Sequence, residues 1–305
     1  KTAMVTKDED FVKQIFTVLT HDDIMFFTNF GKVYKLKVYD IPEASRIARG
    51  RAIVNLIQLE EGEVVETVLT AREYPEDKYI ILATNKGLVK KTAMSEFENV
   101  RVTGKIAITI NEGDKLNSCD ISDGSKQVFI VTKNGKSIRF HEEQVRPIGR
   151  TAAGVKGIEI VRDDEVVNMM VIDLDTEIFV VSEQGYGKKT DLTEYKSQNR
   201  GGKGVITLNV TPKTGRLVSA LQLQDNANLM LITNNGKLIK IGVENVNSIG
   251  RVTQGVKLIQ LEDSEMVVSV AKVADSGYDK DEEVEVTPKT GELPMNDAEP
   301  ENDNE

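Results

Sequence analysis

Ten basic residues recur at two places along this 305-residue chain. Lys35, Lys91, Arg139, Lys189 and Lys240 each stand four residues after the glycine of a tight turn. Arg46, Arg150, Arg200 and Arg251 each stand four residues before a second glycine, and Arg101 is displaced from that spacing by one. Lys32, Arg49, Arg51, Lys90, Lys105, Lys136, Lys188, Lys203 and Lys237 gather around the same two places. Ammonium and guanidinium groups returned at a steady interval suit repeated contact with a polyanion, because each donates to phosphate oxygens and displaces a counterion. No exposed aromatics are interleaved with them, which favours duplex phosphate over stacked single-strand bases. Phosphate contacts set position without reading sequence, so the expected partner is duplex DNA bound without sequence preference. The plainer alternative is that strand hairpins carry Lys for solubility and against edge pairing.

Other chemistry has little to work with. His21 and His141 lie in different repeats, and no Cys or His sits at metal-ligand spacing from them, so no metal site is expected. Cys119 alternates with apolar residues, as a small core side chain does, and a lone cysteine forms no internal disulfide. No Gly-x-x-x-x-Gly-Lys-Ser/Thr loop is present to cradle a nucleotide phosphate. Tyr34, Tyr79 and Tyr195 read as strand packing, and Thr-Pro-Lys-Thr-Gly at 211–215 and 287–291 reads as turns. No catalytic residue and no cofactor is therefore assigned to this chain.

The elements that carry the basic residues repeat with them. Five turns, Thr28-Asn-Phe-Gly31, Thr84-Asn-Lys-Gly87, Thr132-Lys-Asn-Gly135, Ser182-Glu-Gln-Gly185 and Thr233-Asn-Asn-Gly236, each follow a short apolar run. Glycine where the backbone must take positive φ between two such runs predicts a β-hairpin. A second glycine follows 17 to 19 residues later, at Gly50, Gly104, Gly154, Gly204 and Gly255. After it, pairs such as Ile108/Ile110 and Leu208/Val210 alternate with polar residues, which predicts a half-buried strand. An acidic loop and a further strand complete the unit.

Four strands in about fifty residues, repeated in tandem, predict an all-β propeller or pinwheel of four-stranded blades. Residues 1–22 match only the end of such a unit. The expectation is a six-bladed parent whose first blade is truncated here, with five complete blades near 23–73, 74–122, 123–174, 175–225 and 226–273. The remainder, 274–305, is read as a disordered acidic tail: Asp275–Glu305 holds twelve Asp and Glu against Lys280 and Lys289. That excess equals the chain's whole net charge of −10, so the repeat body is neutral. No apolar run is long enough to span a membrane and no signal segment opens the chain, so a cytoplasmic location is expected.

Gln198-Asn-Arg-Gly-Gly-Lys-Gly204 closely resembles the Q-R-R-G-G-K-G box of the DNA gyrase A family, and the segment from Val38 to Leu56 is similar to that family as well. The likeness runs through the entire chain. It implies a C-terminal β-pinwheel that binds and wraps DNA, in support of ATP-dependent negative supercoiling by the whole enzyme. ATP, magnesium and the cleaving tyrosine would belong to other parts of an A2B2 assembly, namely the B subunit with the N-terminal region of gyrase A. In the family the box lies in the first blade, and the opening Lys1-Thr-Ala-Met resembles the sequence directly after it. Gln198, Arg200, Gly201, Gly202, Lys203 and Gly204 therefore read as a degenerate later copy, with Asn199 where the box has a basic residue. The C-terminal domain of topoisomerase IV is a weaker match, and a protein-binding propeller whose rim meets an acidic partner is the rival from another class.

Overall fold

The computed structural model describes residues 18–44, 50–223 and 227–274. The expected blade remnant, the acidic tail, Arg46 and Arg49 fall mostly or wholly outside those residues. The chain is β throughout, apart from one-turn 3-10 helices. Nineteen strands follow in order: β1 (Asp23–Thr28), β2 (Lys32–Lys37), β3 (Val65–Ala71), β4 (Tyr79–Thr84), β5 (Leu88–Ala93), β6 (Lys105–Ile106), β7 (Leu116–Ser122), β8 (Gln127–Thr132), β9 (Lys136–His141) and β10 (Val155–Lys156), then β11 (Val166–Ile172), β12 (Glu177–Ser182), β13 (Tyr186–Asp191), β14 (Val205–Ile206), β15 (Leu217–Leu223), β16 (Ala227–Thr233), β17 (Leu238–Gly242), β18 (Val256–Lys257) and β19 (Val267–Ala274).

Each predicted turn closes an antiparallel hairpin. The glycine N–H donates to the carbonyl of the Thr or Ser that opens the turn, at 2.9–3.0 Å in all five. In three of them the threonine hydroxyl also accepts a backbone N–H from beyond the glycine: Leu88 to Thr84, Lys136 to Thr132 and Lys237 to Thr233. Gly87 shows why no other residue serves. Its φ is +84°, and a Cβ there would lie 2.6 Å from the carbonyl oxygen of Ile158.

The fourth strand departs from expectation. It does not complete its own unit but adds to the sheet of the unit before, so the sheets run β3-β1-β2-β6, β7-β4-β5-β10, β11-β8-β9-β14 and β15-β12-β13-β18. Lys105 pairs with Val33, Val155 with Val89, Val205 with Ser137 and Val256 with Gly187. Only two residues of each exchanged segment are strand. Beyond them the chain bends, and the main-chain N–H groups of Ala107 and Ile108 both reach the carbonyl of Gly31 at 2.8 and 3.1 Å. The alternating apolar residues that follow are buried between two sheets: Ile108 beside Ile80 and Phe27, Leu208 beside Phe129 and Val180. In the first unit the same segment forms a one-turn helix, Ile53–Asn55, over the face of β1 and β2.

The five sheets stand around one axis. β3 packs on β7, β7 on β11, β11 on β15 and β15 on β19, and all five line a common cavity of about 650 Å³. This is a propeller of five blades among the described residues; the six-bladed count is not met there, and the fifth sheet, β19-β16-β17, has three strands. The second strand of each four-stranded sheet, β1, β4, β8 or β12, is buried along almost its whole length because a neighbouring sheet covers each face, hence the unbroken apolar runs. Burying a Phe or Ile side chain there contributes about 1.5–3 kcal/mol. The exchanged strands lie at the opposite edge of each sheet from the axis, so they and their loops form the outer rim.

Candidate nucleic-acid interface

The arginine before the second glycine has a repeated partner. Arg150 donates to the main-chain oxygen of Ile106 at 3.0 Å, Arg200 to that of Lys156 at 3.0 Å, and Arg251 to that of Ile206 at 2.9 Å. Each partner lies on the preceding exchanged strand, so the guanidinium fastens one rim strand to the next loop. Arg200 also donates from Nε to Gln144 O at 2.9 Å, and Arg150 Nε lies 3.5 Å from a Glu96 carboxylate oxygen. All three are half-buried. Guanidinium has five N–H donors in a fixed fork, so donors remain for an outside ligand. Arg101, on a loop one residue shorter, is exposed.

The basic position after the hairpin glycine behaves otherwise. Lys35 lies 3.2 Å from Asp23 and over the Tyr74 ring, Lys91 lies 2.7 Å from Glu142 and over the Tyr79 ring, and Lys189 lies 2.9 Å from Glu177. Arg139 donates to Leu192 O at 3.2 Å, and burial lowers its pKa. These four charges are engaged inside the protein, and only Lys240, in the sheet that has three strands, is exposed. Their main chain holds the rim loops: Ile148 N–H reaches Lys91 O, Gln198 N–H reaches Arg139 O and Ile249 N–H reaches Lys189 O, at 2.8–2.9 Å. The reading of these positions as an open track of positive charge is corrected accordingly.

Lys90 and Lys188, also read as phosphate ligands, are fully buried. Lys90 Nζ donates to Ala107 O at 2.6 Å, to Gly149 O at 3.1 Å and to Arg150 O, and Lys188 Nζ donates to Gly250 O and Arg251 O, both at 2.7 Å. Burial first, and a neighbouring guanidinium second, pull both ammonium groups down to about 8. Neither can reach a phosphate, because the chain of the next repeat covers it.

The free cations are elsewhere. Among the described residues Lys203, Lys237 and Arg51 are exposed and Lys105 and Lys136 are half-exposed on or beside exchanged strands, whereas Lys32 is not free, its ammonium lying 2.5 Å from Glu60. Lys156 and Lys257, the second residues of β10 and β18, are exposed as well. Arg146 and Lys196 are exposed on the same loops and were not singled out in the sequence. Both stand four residues before the rim arginine, which is the signal that finds them.

The degenerate box forms one of these loops. Gln198 accepts from Gln144 Nε2 at 3.2 Å, Gly201 (φ +79°) donates to Gly157 O at 2.6 Å, and Gly202 O accepts from Glu159 N–H at 2.9 Å. Gly204 has φ +66° and lies against Ser137 O, where β14 begins to pair. The glycines let the loop lie flat on its neighbours, leaving Lys203 at the outside.

Among the described residues no three His, Cys, Asp or Glu side chains converge on a possible metal position, and no helix is long and apolar enough to cross a membrane. Cys119 is buried, and its thiol pKa is raised by that burial. Tyr34 and Tyr195 are packed, with hydroxyls on Glu63 and Thr207.

A strand-exchanged β-propeller with basic loops on its rim is the class that fold and site define. The family described as "DNA gyrase C-terminal domain, beta-propeller" matches five stretches of the chain, 22–72, 78–123, 126–173, 176–224 and 227–274. The chain belongs to that family. It is 42% identical over 290 residues to the DNA gyrase A protein of Staphylococcus aureus (strain NCTC 8325 / PS 47), an alignment covering 94% of this chain and 33% of the relative. The chain thus spans about a third of the length of the curated relatives it matches. A solved DNA gyrase A C-terminal domain superposes with a TM-score of 0.74 at 25% identity, over 84% of this chain and 83% of the other. The C-terminal domain of a DNA topoisomerase IV superposes at 0.76 with 28% identity, over 84% and 80%.

Proposed function

We propose that this chain binds and bends duplex DNA along its outer rim, without sequence preference, as the C-terminal domain of a DNA gyrase A protein. The observation that carries the reading is the arginine staple, repeated on three consecutive loops with exposed lysines beside it. It sets cationic donors at the outer edge of successive sheets on a frame that is tied blade to blade. Duplex DNA has a persistence length of about 150 base pairs, so bending it around a rim costs several kcal/mol, which contacts spread over several blades offset.

In the whole enzyme the wrapped segment would be handed to the cleaved gate, giving ATP-dependent negative supercoiling in the bacterial cytoplasm. Cleavage belongs to the N-terminal region and ATP with magnesium to other parts, including the B subunit of an A2B2 assembly. The six-bladed parent ring is part of the same proposal, supported by β17, which carries no exchanged strand among the described residues. The 42% identity to a gyrase A protein over 94% of this chain supports gyrase over topoisomerase IV, while the two solved domains, at 25% and 28% identity, do not separate them.

Two measurements test the reading. If 6–10 phosphates are contacted, affinity falls on the order of a thousandfold or more between 50 and 200 mM salt. Ligating nicked circular plasmid on the protein leaves a shifted linking number. Unchanged topology at saturating protein overturns wrapping, and no DNA binding at any salt leaves the protein-binding rival.

A further inference from the structure

The third residue after the hairpin glycine lies beneath the rim loops. Lys90 and Lys188 occupy this position in the second and fourth units, fully buried, and their bonds go to the loop that carries the next rim arginine. Both reach the carbonyl of the arginine itself and that of the glycine before it. Lys188 also has Thr253 O at 3.3 Å and Thr253 Oγ1 at 3.1 Å.

An ammonium has three protons and no lone pair, which matches the three carbonyls around Lys90. A neutral amine would satisfy two of them and turn its lone pair on the third. The charged groups facing Lys90 are Arg150 on the loop and Glu96 on the one-turn helix Met94–Phe97; those facing Lys188 are Arg251 and Glu194, in the equivalent places.

The other units vary both partners. Tyr34 stands at this position under the shorter loop, where a Cβ on Gly104 would lie 2.7 Å from its ring. Ile138 stands under Arg200-Gly-Gly-Lys-Gly204, with its Cδ1 near Gly202. The lysines lie under Arg150-Thr-Ala-Ala-Gly154 and Arg251-Val-Thr-Gln-Gly255, which share one length and lack the double glycine.

We propose that Lys90 and Lys188 are positioning residues of the rim: buried ammonium posts that draw the arginine-loop carbonyls inward and so aim Arg150 and Arg251 at duplex phosphate. This rests on the DNA-binding reading, but the loop geometry is testable apart from it. Because both groups titrate near 8, the posts weaken as pH rises through that value. DNA affinity falls with them.

The test replaces each lysine by the residue found in the third unit, Lys90→Ile and Lys188→Ile, singly and together. Affinity for a duplex is measured against salt and pH, and amide hydrogen exchange is followed at 149–154 and 250–255 in the free protein. The double variant is expected to bind about tenfold more weakly, a change of about 1.4 kcal/mol. Its salt slope should fall by no more than about 0.9 for each arginine, Arg150 or Arg251, that no longer meets phosphate. Exchange should quicken in the two loops and not at 199–204, and the parent's loss of affinity between pH 7 and 9 should shrink in the variant.

Unchanged exchange at both loops overturns the posts, and a salt slope shallower by about 0.9 for each lysine removed while exchange stays unchanged marks a direct phosphate contact in their place. If the parent binds no DNA, the function fails while exchange still decides the posts. Should the double variant not fold, Lys188→Ile and the pH series on the unmodified chain decide.

Discussion

Arg150 donates from its guanidinium to the main-chain oxygen of Ile106 at 3.0 Å, joining the exchanged strand of one sheet to the loop that leads into the next. Arg200 with Lys156 and Arg251 with Ile206 repeat the joint around the rim. The residue type most suited to phosphate thus also holds the frame. Under the proposed function, DNA bound at one loop would pull on a support shared with its neighbour.

Arg150→Lys keeps the charge but not the fork that spans to Ile106. It should cost about 1 kcal/mol in urea unfolding and leave the salt slope of DNA binding nearly unchanged. Arg150→Ala should cost a similar amount and also lower the slope by about 0.9. Equal slopes in the two variants would mean that the guanidinium is a staple alone.

Lys91 and Glu142 form a buried pair, and Glu142 also accepts from Ser122 Oγ and from Lys126 N–H at 2.7 Å. Lys91→Met leaves that carboxylate buried without its cation and should destabilise by about 3–5 kcal/mol. Glu142→Leu in the same chain should recover most of the loss, since Leu192 and Val243 fill the equivalent place in later units. Chemical denaturation of the single and double variants checks this.

Gly87→Ala combines positive φ with a Cβ against Ile158 O and should destabilise by more than about 1 kcal/mol. Gly250→Ala meets nothing within 4 Å and has no positive φ, so its melting temperature should stay near the parent's.

Lys136, Lys203 and Lys237, at the outer edge and free of carboxylates in the described contacts, should each reduce the salt slope by about 0.9 when changed to Gln. Their unfolding midpoints should not move. Lys35→Gln and Lys189→Gln, whose charges face Asp23 and Glu177, should change the slope much less.

The buried ammonium groups set a pH dependence of stability opposite in direction to that of binding. Lys90 and Lys188 have folded-state values near 8, below the ordinary lysine value of 10.5. Between about 8 and 10.5 the unfolded chain therefore holds more protons, and their contribution to stability rises with pH across that window. Urea midpoints of the parent minus those of the Lys90→Ile/Lys188→Ile variant should climb from pH 8 to 10. A flat difference would mean that the two groups titrate alike in both states.

Part of the site could be read from spacing. The Arg-x-x-x-Gly loops, the box at 198–204 and the exposed Lys203 and Lys237 all emerged from comparing one unit with another. Lys90 and Lys136 looked equivalent in that comparison, each near a hairpin glycine. One is buried under the carbonyls of Ala107, Gly149 and Arg150 and the other lies half-open on the rim; as third and first residues after their glycines they share a strand face, so alternation does not separate them, and only the chain arriving from the next unit does.

The sequence by itself determined the repeat, the five hairpins, the glycines that must take positive φ and the all-β class, since these follow from strand alternation and local backbone sterics. Only the tertiary structure decided that the fourth strand crosses to the preceding sheet, that Lys35, Lys91 and Lys189 are spent on carboxylates, and that Lys90 and Lys188 lie inside. Those outcomes depend on which backbone carbonyl or carboxylate from another unit arrives at a given side chain. The spacing of residues along one chain carries no record of that arrival.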